Sequence, residues 1–407
     1  MKIGIDIRVL MDEYYSGVSE YAANLLMALA RLDRTNDYRL FYNSFHNLDD
    51  RFRFLQSERW LVTGQHWPNK IFNYVLQKFL TWPKIDRVLG GVDVFWSPHF
   101  NFTSLSGGPS GPRQIITVHD LSFLRYPEFF SARKNFWHFA LNVKKTLRAA
   151  DKIIAVSENT KNDIVELIGV PAAKVQVIYS GNNINQREVG TEEIREFLVK
   201  HRLTVAAETK PTPGRFILYL GNIEPRKNIS GLIESFNQLK SLAVSDGQNF
   251  SDVKLVLAGA SGWKNKKIYA AWQNSPYRDD IKFLGYISKK EREILYYISA
   301  VFVYPSFYEG FGFPPLEAMT YGLPVVCSNV SSLPEVVGSA ALLVSPFKTA
   351  EIVDALRSVL SDESIRARLV AAGFKRAALF SWDRTAAEYL KIFQEIYGDK
   401  ARQENKK

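Results

Sequence analysis

The sequence predicts an α/β protein of two domains, each built on a doubly wound parallel sheet. The chain has 407 residues, 46% of them hydrophobic, and this length exceeds what one hydrophobic core usually organises. Short apolar runs alternate with segments of helical periodicity in both halves, as is typical of parallel sheets. A polar stretch between residues 181 and 214 interrupts the alternation. We therefore expect one sheet on each side of it.

In the first half, the helix after the opening strand has the clearest pattern. Residues 2–9 read as a strand, Ser16 or Gly17 begins the helix, and apolar residues recur at helical spacing as far as Leu32. Further strands are expected at residues 38–42, 92–96, 114–118, 152–156 and 175–179, and further helices at 131–149 and 157–168.

The second half repeats this alternation after a helix at about residues 192–201, which lies within the polar stretch. Strands are expected at residues 216–220, 254–258, 281–284, 301–304, 324–328 and 341–344. Helices are expected at residues 228–242, 266–273, 289–298, 315–321, 348–361, 363–379 and 382–397.

The composition also bears on where the protein works. Cys327 is the single cysteine, so an internal disulfide is excluded, and no apolar stretch reaches the roughly 18 residues of a membrane span. The chain starts with Met1 and a strand pattern rather than with the basic and apolar blocks of a signal peptide. We therefore expect a cytoplasmic protein that is not exported.

The positive charge is concentrated in one part of the chain. The net charge is +10, and residues 51–150 contain 14 Lys and Arg against 5 Asp and Glu, an excess of +9. Many aromatic residues lie among these basic residues. Such a mixture attracts nucleic acid, anionic lipid headgroups or acidic substrates, or it is simply a solvated basic face above core aromatics.

The most informative stretch runs from residue 304 to residue 324. A strand ends there, a loop with Gly310 and Gly312 follows, and a helix begins near Pro315, where proline is tolerated in the first turn. Free backbone N–H groups and a helix N-terminus suit a diphosphate. Glu309 lies on the loop and Glu317 in the helix, so one carboxylate can hold sugar hydroxyls while the other holds a ribose diol.

Here the sequence resembles a known family. Glu309 and Glu317 match the E-x7-E motif of the retaining GT-B glycosyltransferases, within the longer pattern S-x-Y-E-G-F-G-x-P-x-L-E-A-M-x-x-G-x-P-V. This pattern resembles the sequences of the large glycosyltransferase family 4 type, which includes many bacterial mannosyltransferases and glucosyltransferases. The resemblance implies the GT-B fold, with two Rossmann-like domains facing across a cleft. It also assigns Phe311 and Leu316, together with Gly310, Gly312 and Glu317, to donor binding.

The resemblance covers nearly the whole chain and sets the expected domain boundaries. Residues 1–185 would form the acceptor-binding domain, 186–214 the connection and 215–380 the nucleotide-sugar donor domain. Residues 381–400 would form a helix that crosses back to the first domain, and 401–407 a disordered tail.

A second family-like segment follows the first strand of the second half. Arg226 and Lys227 precede a helix expected to begin at Asn228, and positive charge at a helix N-terminus is unfavourable unless an anion is present. We therefore expect these two residues to neutralise the donor diphosphate. Many family members carry an arginine directly after Gly221, where this chain has Asn222, so Arg226 is expected to supply the missing charge.

Two segments of the first half resemble the family more weakly. Ser16 and Gly17 stand where the family has a glycine-rich loop facing the phosphates, although a plain helix cap explains them equally well. His119 ends a strand and matches the histidine that lies beside the transferred sugar, whereas a lone histidine is often structural. Its place at the carboxyl end of a parallel strand favours the functional interpretation. Asp120 would be a base only in an inverting enzyme.

The resemblance implies retention without a cofactor. The sequence contains no D-x-D pair to hold a divalent cation, so we expect no metal site, and Arg226, Lys227 and backbone amides would stabilise the leaving group. Catalytic roles therefore fall to His119, Arg226, Lys227 and Glu309. The alternatives are a nucleotide-sugar epimerase, a noncatalytic binding module and, disfavoured by chain length, a pyridoxal-phosphate phosphorylase.

For the donor we expect GDP-mannose, because residues 119–121 and 224–228 look most like bacterial mannosyltransferases of polysaccharide and O-antigen assembly. UDP-glucose or another UDP-hexose is the alternative, since the base would be read by backbone near Tyr286. The expected acceptor is a glycan or a lipid-linked oligosaccharide, and nucleic acid is not an expected partner.

The basic stretch also suggests reversible association with the inner face of the cell membrane. Each Lys or Arg near an anionic surface contributes about 1 kcal/mol. The aromatic residues Trp67, Trp82 and Trp137 would deepen the contact where they are exposed. The basic residues that we consider are Lys70, Lys78, Lys84, Arg87, Arg133, Lys134, Lys144 and Lys145.

Overall fold

A computed structural model describes residues 1–11, 16–55, 57–108, 111–182, 188–203, 216–245 and 250–404. The chain divides into two compact units. The first consists of Met1–Leu124, Arg133–Asn183 and Phe380–Lys407, and the second consists of Arg125–Ala132 and Ile184–Leu379. Each unit contains one parallel sheet, which confirms the predicted α/β class.

The strands pair only in parallel within the described residues. In the first unit the order is β3-β2-β1-β4-β5-β6-β7, and in the second it is β10-β9-β8-β11-β12-β13. The strands are β1 Lys2–Asp6, β2 Asp37–Asn43, β3 Trp60–Gln65, β4 Val94–Ser97, β5 Arg113–Val118, β6 Lys152–Ala155, β7 Val175–Val177, β8 Phe216–Leu220, β9 Lys254–Ala258, β10 Ile281–Gly285, β11 Val301–Tyr304, β12 Val325–Ser328 and β13 Ala341–Val344.

Helices connect the strands in both units. The α-helices are α1 Gly17–Leu32, α2 Ile85–Val88, α3 Ser122–Arg125, α4 Ala132–Leu141, α5 Val143–Ala149, α6 Glu158–Asp163, α7 Thr191–Lys200, α8 Ile229–Ser245, α9 Lys266–Gln273, α10 Lys289–Ile298, α11 Phe313–Thr320, α12 Leu333–Val337, α13 Thr349–Ser361, α14 Glu363–Ala377 and α15 Trp382–Glu404. Ile71–Leu80 and Ile164–Ile168 are π-helical, and short 3₁₀ helices are Arg8–Leu10, Asp49–Leu55, Pro127–Phe129, Ala172–Lys174, Pro225–Lys227, Arg278–Asp280 and Gly338–Ala340. None of the helices in the described residues combines the length and apolar character needed to cross a bilayer.

The strand order creates a switch point in each sheet. β1 lies between β2 and β4, and β8 lies between β9 and β11. Open α/β sheets bind ligands beyond the carboxyl ends of the strands at such points. Ser16, whose Oγ accepts from the Ser19 backbone N–H, caps the N-terminus of α1 after β1, and Asn222 follows β8. The residues predicted to meet the donor therefore lie at the edges where ligands are expected.

Two expected elements have different bounds, each for a local reason. The first strand ends at Asp6 rather than at residue 9, because the Asp6 carboxylate accepts from the backbone and side chain of Arg8 and the chain turns there. The helix expected at 131–149 breaks at Asn142, which has φ 47° and caps α5 by accepting from the Lys145 backbone N–H. Asparagine tolerates this left-handed conformation.

A strand and a helix of the first unit are among the elements that were not predicted. β3 is an edge strand that pairs with β2 and begins at Trp60, whose ring stacks on Tyr38 at 4.0 Å between centroids. Its second half is polar, so it lacks the continuous apolar run of a buried parallel strand. The helix Ile71–Leu80 buries Phe72 and Leu76 in a cluster with Phe41 of β2, and this contact does not follow from its own periodicity.

The segment Arg125–Ala132 comes from the first half of the chain but belongs to the second unit. The Phe129 carbonyl accepts from the Trp263 indole N–H at 2.7 Å, and the Glu128 carbonyl accepts from Lys264 Nζ at 2.7 Å. The Phe130 ring stacks on Trp263 as well. These contacts account for its place in that unit.

The closing helix α15 belongs to the first unit, where it packs along α1. It runs past Gly398 to Glu404, so residues 401–404 of the expected tail are helical, and residues 399–404 contain neither glycine nor proline. The last three residues of that tail lie outside the described part of the chain. The same holds for 204–215, most of the expected connection after α7.

Buried hydrogen bonds attach α15 to the first sheet. The Tyr389 hydroxyl lies 2.8 Å from the Tyr21 hydroxyl and 2.6 Å from Thr117 Oγ1. Thr117 in turn accepts from the Trp96 indole N–H at 2.9 Å. Four side chains from α1, β4, β5 and α15 therefore share one polar network inside an apolar core.

This network predicts the effect of removing one hydroxyl. Tyr389→Phe should lower the free energy of unfolding by about 1–3 kcal/mol, because buried polar partners lose a hydrogen bond. The control is Tyr397→Phe on the same helix, where the side chain is exposed and the expected change is within about 0.5 kcal/mol. Chemical denaturation of both variants measures the difference, and equal stabilities would contradict the prediction.

Candidate active site

The loop between β11 and α11 forms the centre of the candidate site. Gly312 precedes α11 with φ 108°, a conformation that side-chain-bearing residues rarely adopt, and a Cβ there would lie 2.7 Å from Leu333 Cδ2. The helix begins at Phe313, two residues before the predicted start, and Pro314 and Pro315 occupy its first turn. Glycine is therefore required where the loop turns into the helix.

Glu309 is buried on this loop and is held from several sides. Its Oε1 accepts from Lys227 Nζ at 2.6 Å and its Oε2 from Arg226 Nη1 at 3.2 Å. The Ser331 and Ser332 hydroxyls bond its backbone N–H and carbonyl, both at 3.0 Å. Burial by itself would raise the pKa of Glu309, but the charges of Lys227 and Arg226 outweigh it and keep the pKa below its usual value. The side chain is therefore a carboxylate.

Glu224 completes a four-charge cluster that the sequence analysis missed. Its Oε1 accepts from Arg226 Nε at 3.2 Å, and its Oε2 is buried without a hydrogen-bond partner among the described residues. Lys227 Nζ also donates to the Tyr304 hydroxyl at 2.8 Å. Two carboxylates thus balance two cations. In the sequence, only the position of Glu224 two residues before Arg226 indicated that its carboxylate belongs to this cluster.

This cluster changes the interpretation of the basic pair. Arg226 and Lys227 lie in the 3₁₀ turn Pro225–Lys227, and α8 begins only at Ile229, because Asn228 adopts a left-handed conformation with φ 56°. The pair therefore precedes the α-helix, as expected, and the helix begins one residue later than predicted. We expected an anion beside these two cations, and the carboxylates of Glu224 and Glu309 supply it.

Glu317 lies in α11 and is almost completely buried. Its Oε2 accepts from the Tyr296 hydroxyl at 2.9 Å and lies 3.6 Å from Arg292 Nη1. Its Oε1 is buried and has no hydrogen-bond partner within the described residues. Most buried carboxylate oxygens are paired, so this atom is the part of Glu317 suited to a ligand hydroxyl.

The other predicted donor residues of the second unit differ in exposure. Asn222 is exposed after β8, and its carbonyl accepts from the Tyr219 hydroxyl at 3.1 Å. Tyr286 follows β10 and is 54% exposed, whereas Phe311 and Leu316 are buried. The side chain of Leu316 therefore serves packing.

Gly17 and His119 lie in the first unit at the carboxyl edge of its sheet. Gly17 is the first residue of α1, and Tyr21 in the next turn contacts the His119 ring at 4.7 Å between centroids. His119 Nε2 lies 2.8 Å from the Pro98 carbonyl. Because a carbonyl only accepts, Nε2 carries the hydrogen and Nδ1 is the ring's acceptor.

The protonation of His119 follows from its surroundings. Burial, together with the neighbouring His99, lowers the pKa of His119 to about 3, so the imidazole is neutral near pH 7. Asp120 beside it accepts from the backbone and hydroxyl of Ser122 at 2.9 and 2.5 Å and so holds the start of α3. Among the described residues, no three His, Cys, Asp or Glu side chains form a group that could hold a metal ion.

Two doubly wound parallel sheets, with buried carboxylates and cations around the loops of the second, form the architecture of a GT-B glycosyltransferase. Residues 15–186 match the family described as Glycosyltransferase Family 4, and residues 202–376 match the one described as Glycosyl transferases group 1. O-antigen chain mannosyltransferase B of Escherichia coli is 31% identical over 282 residues, 69% of this chain and 70% of that protein. The chain belongs to the GT-B glycosyltransferases of the family 4 type.

Two further comparisons agree with this assignment. The serotype-specific mannosyltransferase WbdA of Escherichia coli is 30% identical over 276 residues, which cover 67% of this chain but only 32% of that protein. The structure of sucrose-phosphate synthase from Thermosynechococcus elongatus superposes with a TM-score of 0.70 at 19% identity, over 98% of this chain and 99% of that one. This second likeness concerns the fold alone.

Proposed function

We propose that this glycosyltransferase moves mannose from GDP-mannose, with retention and without a metal ion, to a hydroxyl of a glycan or lipid-linked oligosaccharide. The observation that carries the proposal is the pair of buried carboxylates, Glu309 on the β11–α11 loop and Glu317 in α11. The choice of mannose rests on the similarity to mannosyltransferases of Escherichia coli.

The charge cluster suits departure of a nucleoside diphosphate. Arg226 and Lys227 are held by Glu224 and Glu309 before any ligand binds, so they need little reorganisation when negative charge develops on the leaving group. The N-terminus of α11 adds a favourable dipole, although Pro314 and Pro315 in its first turn carry no backbone N–H. In this proposal, these groups stabilise the negative charge of the diphosphate, as a divalent cation does in metal-dependent transferases.

Glu317 and Glu309 have different tasks in this proposal. The unpaired Oε1 of Glu317 accepts from the ribose hydroxyls of the nucleotide, while Glu309 contacts the hydroxyls of the transferred sugar. In a retaining front-face reaction the bond from the sugar C1 to the phosphate oxygen breaks. A bond from C1 to the acceptor oxygen then forms on the same face, and the phosphate oxygen takes the acceptor proton. His119 is neutral and contributes hydrogen bonding rather than acid catalysis.

The alternative donor is UDP-glucose or another UDP-hexose. Tyr286 and its neighbours offer mainly backbone groups to the base, and backbone groups are compatible with either base. A nucleotide-sugar epimerase on the same fold would use the donor site without an acceptor.

The direct test is donor turnover in excess chelator. The protein should slowly release GDP from GDP-mannose, faster than UDP from UDP-glucose, and GDP should raise the melting temperature more than UDP because binding to the folded state stabilises it. Faster UDP release would reverse the donor choice. Complete loss of activity that magnesium or manganese restores would contradict metal independence, and release of an epimerised free sugar would favour the epimerase.

The two carboxylates should separate binding from turnover. Glu317→Ala should weaken GDP affinity by about 1–3 kcal/mol, because a charged hydrogen bond is lost. Glu309→Gln should reduce turnover more than GDP affinity, because its ligand partner is the sugar. Calorimetry and steady-state kinetics measure the two effects, with exposed Glu234→Gln on α8 as control. Unchanged GDP affinity in Glu317→Ala would contradict the ribose role.

We also propose reversible membrane association through the first unit. Large apolar side chains on and beside the helix Ile71–Leu80 are exposed, with Phe79 at 72% and Trp82 at 56%. Lys70 and Lys78 are exposed on the same segment. Apolar residues flanked by lysines suit the boundary between anionic headgroups and acyl chains. Trp137, considered with them, is partly buried.

Vesicle sedimentation tests this surface. The protein should sediment with anionic vesicles, not with neutral ones, and binding should fall as salt is raised. The double variant Phe79→Ser/Trp82→Ser should lose most of the binding, whereas Phe347→Ser should retain it, although Phe347 in the second unit is also well exposed. Equal sedimentation of the two variants would contradict the assignment of this surface.

A further inference from the structure

Glu317, which the proposed function assigns to the ribose, is held by one face of the neighbouring helix α10. Arg292 and Tyr296 of α10 are four residues apart, so their side chains lie on the same face of the helix. The Tyr296 hydroxyl donates to Glu317 Oε2 at 2.9 Å, and Arg292 Nη1 lies 3.6 Å from the same oxygen. Both contacts therefore fall on one of the two carboxylate oxygens.

The two oxygens of Glu317 are consequently not equivalent. Oε1 is buried and has no hydrogen-bond partner among the residues that the structure describes, whereas Oε2 is engaged. The last torsion of a glutamate side chain is only broadly restricted, and partners on one oxygen fix its rotation. Because Tyr296 and Arg292 hold Oε2, the direction of Oε1 is set before a ligand binds.

Tyr296 is itself fixed by its packing. Its ring is almost completely buried, stacks on Tyr321 at 5.7 Å between centroids and meets Phe302 edge-on at 5.8 Å. The Pro314 carbonyl lies 3.4 Å from its hydroxyl, farther than the carboxylate of Glu317. Since a hydroxyl has one hydrogen to donate, that hydrogen goes to Glu317.

A further set of contacts anchors the start of α10. Ser288 and Glu291 form a capping box, in which each side chain bonds the backbone N–H of the other residue. The Glu291 carboxylate also accepts from Lys200 Nζ at 2.7 Å and lies 3.0 Å from His201 Nε2, at the end of α7. The face that meets Glu317 therefore belongs to a helix whose N-terminus is already held.

We propose that Tyr296, supported by Arg292, is a positioning residue for nucleotide binding, because it orients Glu317 so that Oε1 accepts from the ribose diol. The inference rests on the proposed ribose role of Glu317, and Tyr296 acts through that carboxylate rather than through a contact of its own with the nucleotide. The strength of diol recognition then depends on a hydroxyl of α10, outside the loop and helix that carry Glu309 and Glu317. The contact is independent of the base, so it applies to guanine and uracil nucleotides alike.

The test compares nucleotides that differ only in the ribose diol. Calorimetry on the full chain measures the affinities of GDP and 2′,3′-dideoxy-GDP, with UDP and 2′,3′-dideoxy-UDP as a second pair. The unaltered protein should prefer the nucleotide with the diol by about tenfold or more, because hydrogen bonds to a charged group are lost with it. Tyr296→Phe should reduce this preference by about threefold or more and leave the affinity for the dideoxy nucleotide unchanged. Tyr297→Phe, on the same helix but 50% exposed, should keep the full preference.

A double-mutant cycle tests whether Tyr296 acts through Glu317. In Glu317→Ala the preference for the diol should be lost, and adding Tyr296→Phe should change nothing further, because residues that act as one unit are not additive. Tyr296→Phe keeps the buried ring and removes only the hydroxyl. If it does not fold, Arg292→Gln weakens the second contact to Oε2 and should reduce the same preference.

The outcomes separate this inference from the proposed function. A full diol preference in Tyr296→Phe, an equal loss of affinity for both members of a pair, or additive losses in the double variant would overturn the positioning role and leave the ribose role of Glu317 intact. No diol preference in the unaltered protein, or a full preference in Glu317→Ala, would contradict the ribose role itself, and the positioning role would fall with it.

Discussion

The ion pairs of Glu309 with Lys227 and Arg226 determine the arrangement of the second unit's site. They join the loop after β11 to the turn after β8, two segments about 80 residues apart in the chain. A buried charge without a partner is strongly unfavourable, so neither loop can move away from the other without exposing its charges or leaving them unpaired. The position of Glu309, and with it the loop that leads into α11, therefore follows from electrostatics as much as from chain geometry.

The two units differ in the charged groups that lie beyond the carboxyl ends of their central strands. Beyond β8 and β11, carboxylates and cations stand close to a helix N-terminus and are suited to a ligand that carries charge of its own. Beyond β1 and β4, Asp6 and Arg8 neutralise each other, and the neighbouring imidazoles are neutral because burial lowers their pKa values. The same type of sheet edge therefore carries a cluster of two carboxylates and two cations in the second unit. In the first unit it carries one ion pair and two neutral imidazoles.

The sequence predicted the elements whose signals are local. The start of α1 followed from Ser16, and the motif around Glu309 and Glu317 followed from spacing. What it missed depends on contacts between distant residues. β3 is defined by its pairing with β2, the partners of Glu317 come from α10, and His99 lies near His119 because β4 pairs with β5. The pattern within one segment does not indicate which distant residues it will contact. The break at Asn142 is different, because asparagine itself favours the left-handed conformation that ends the helix there.

The chain changes unit after Leu124, Ala132, Asn183 and Leu379, so the halves of the sequence are not the halves of the protein. A fragment ending in the 204–215 segment would lack α15, and with it the Tyr389 hydroxyl that Tyr21 and Thr117 bond. The complementary fragment would lack 125–132 and leave Trp263 without Phe129 and Phe130. A hybrid enzyme made by joining halves of two relatives at that one junction would therefore combine mismatched surfaces in both units. Exchange of a complete unit requires the short segment and the closing helix to move with it.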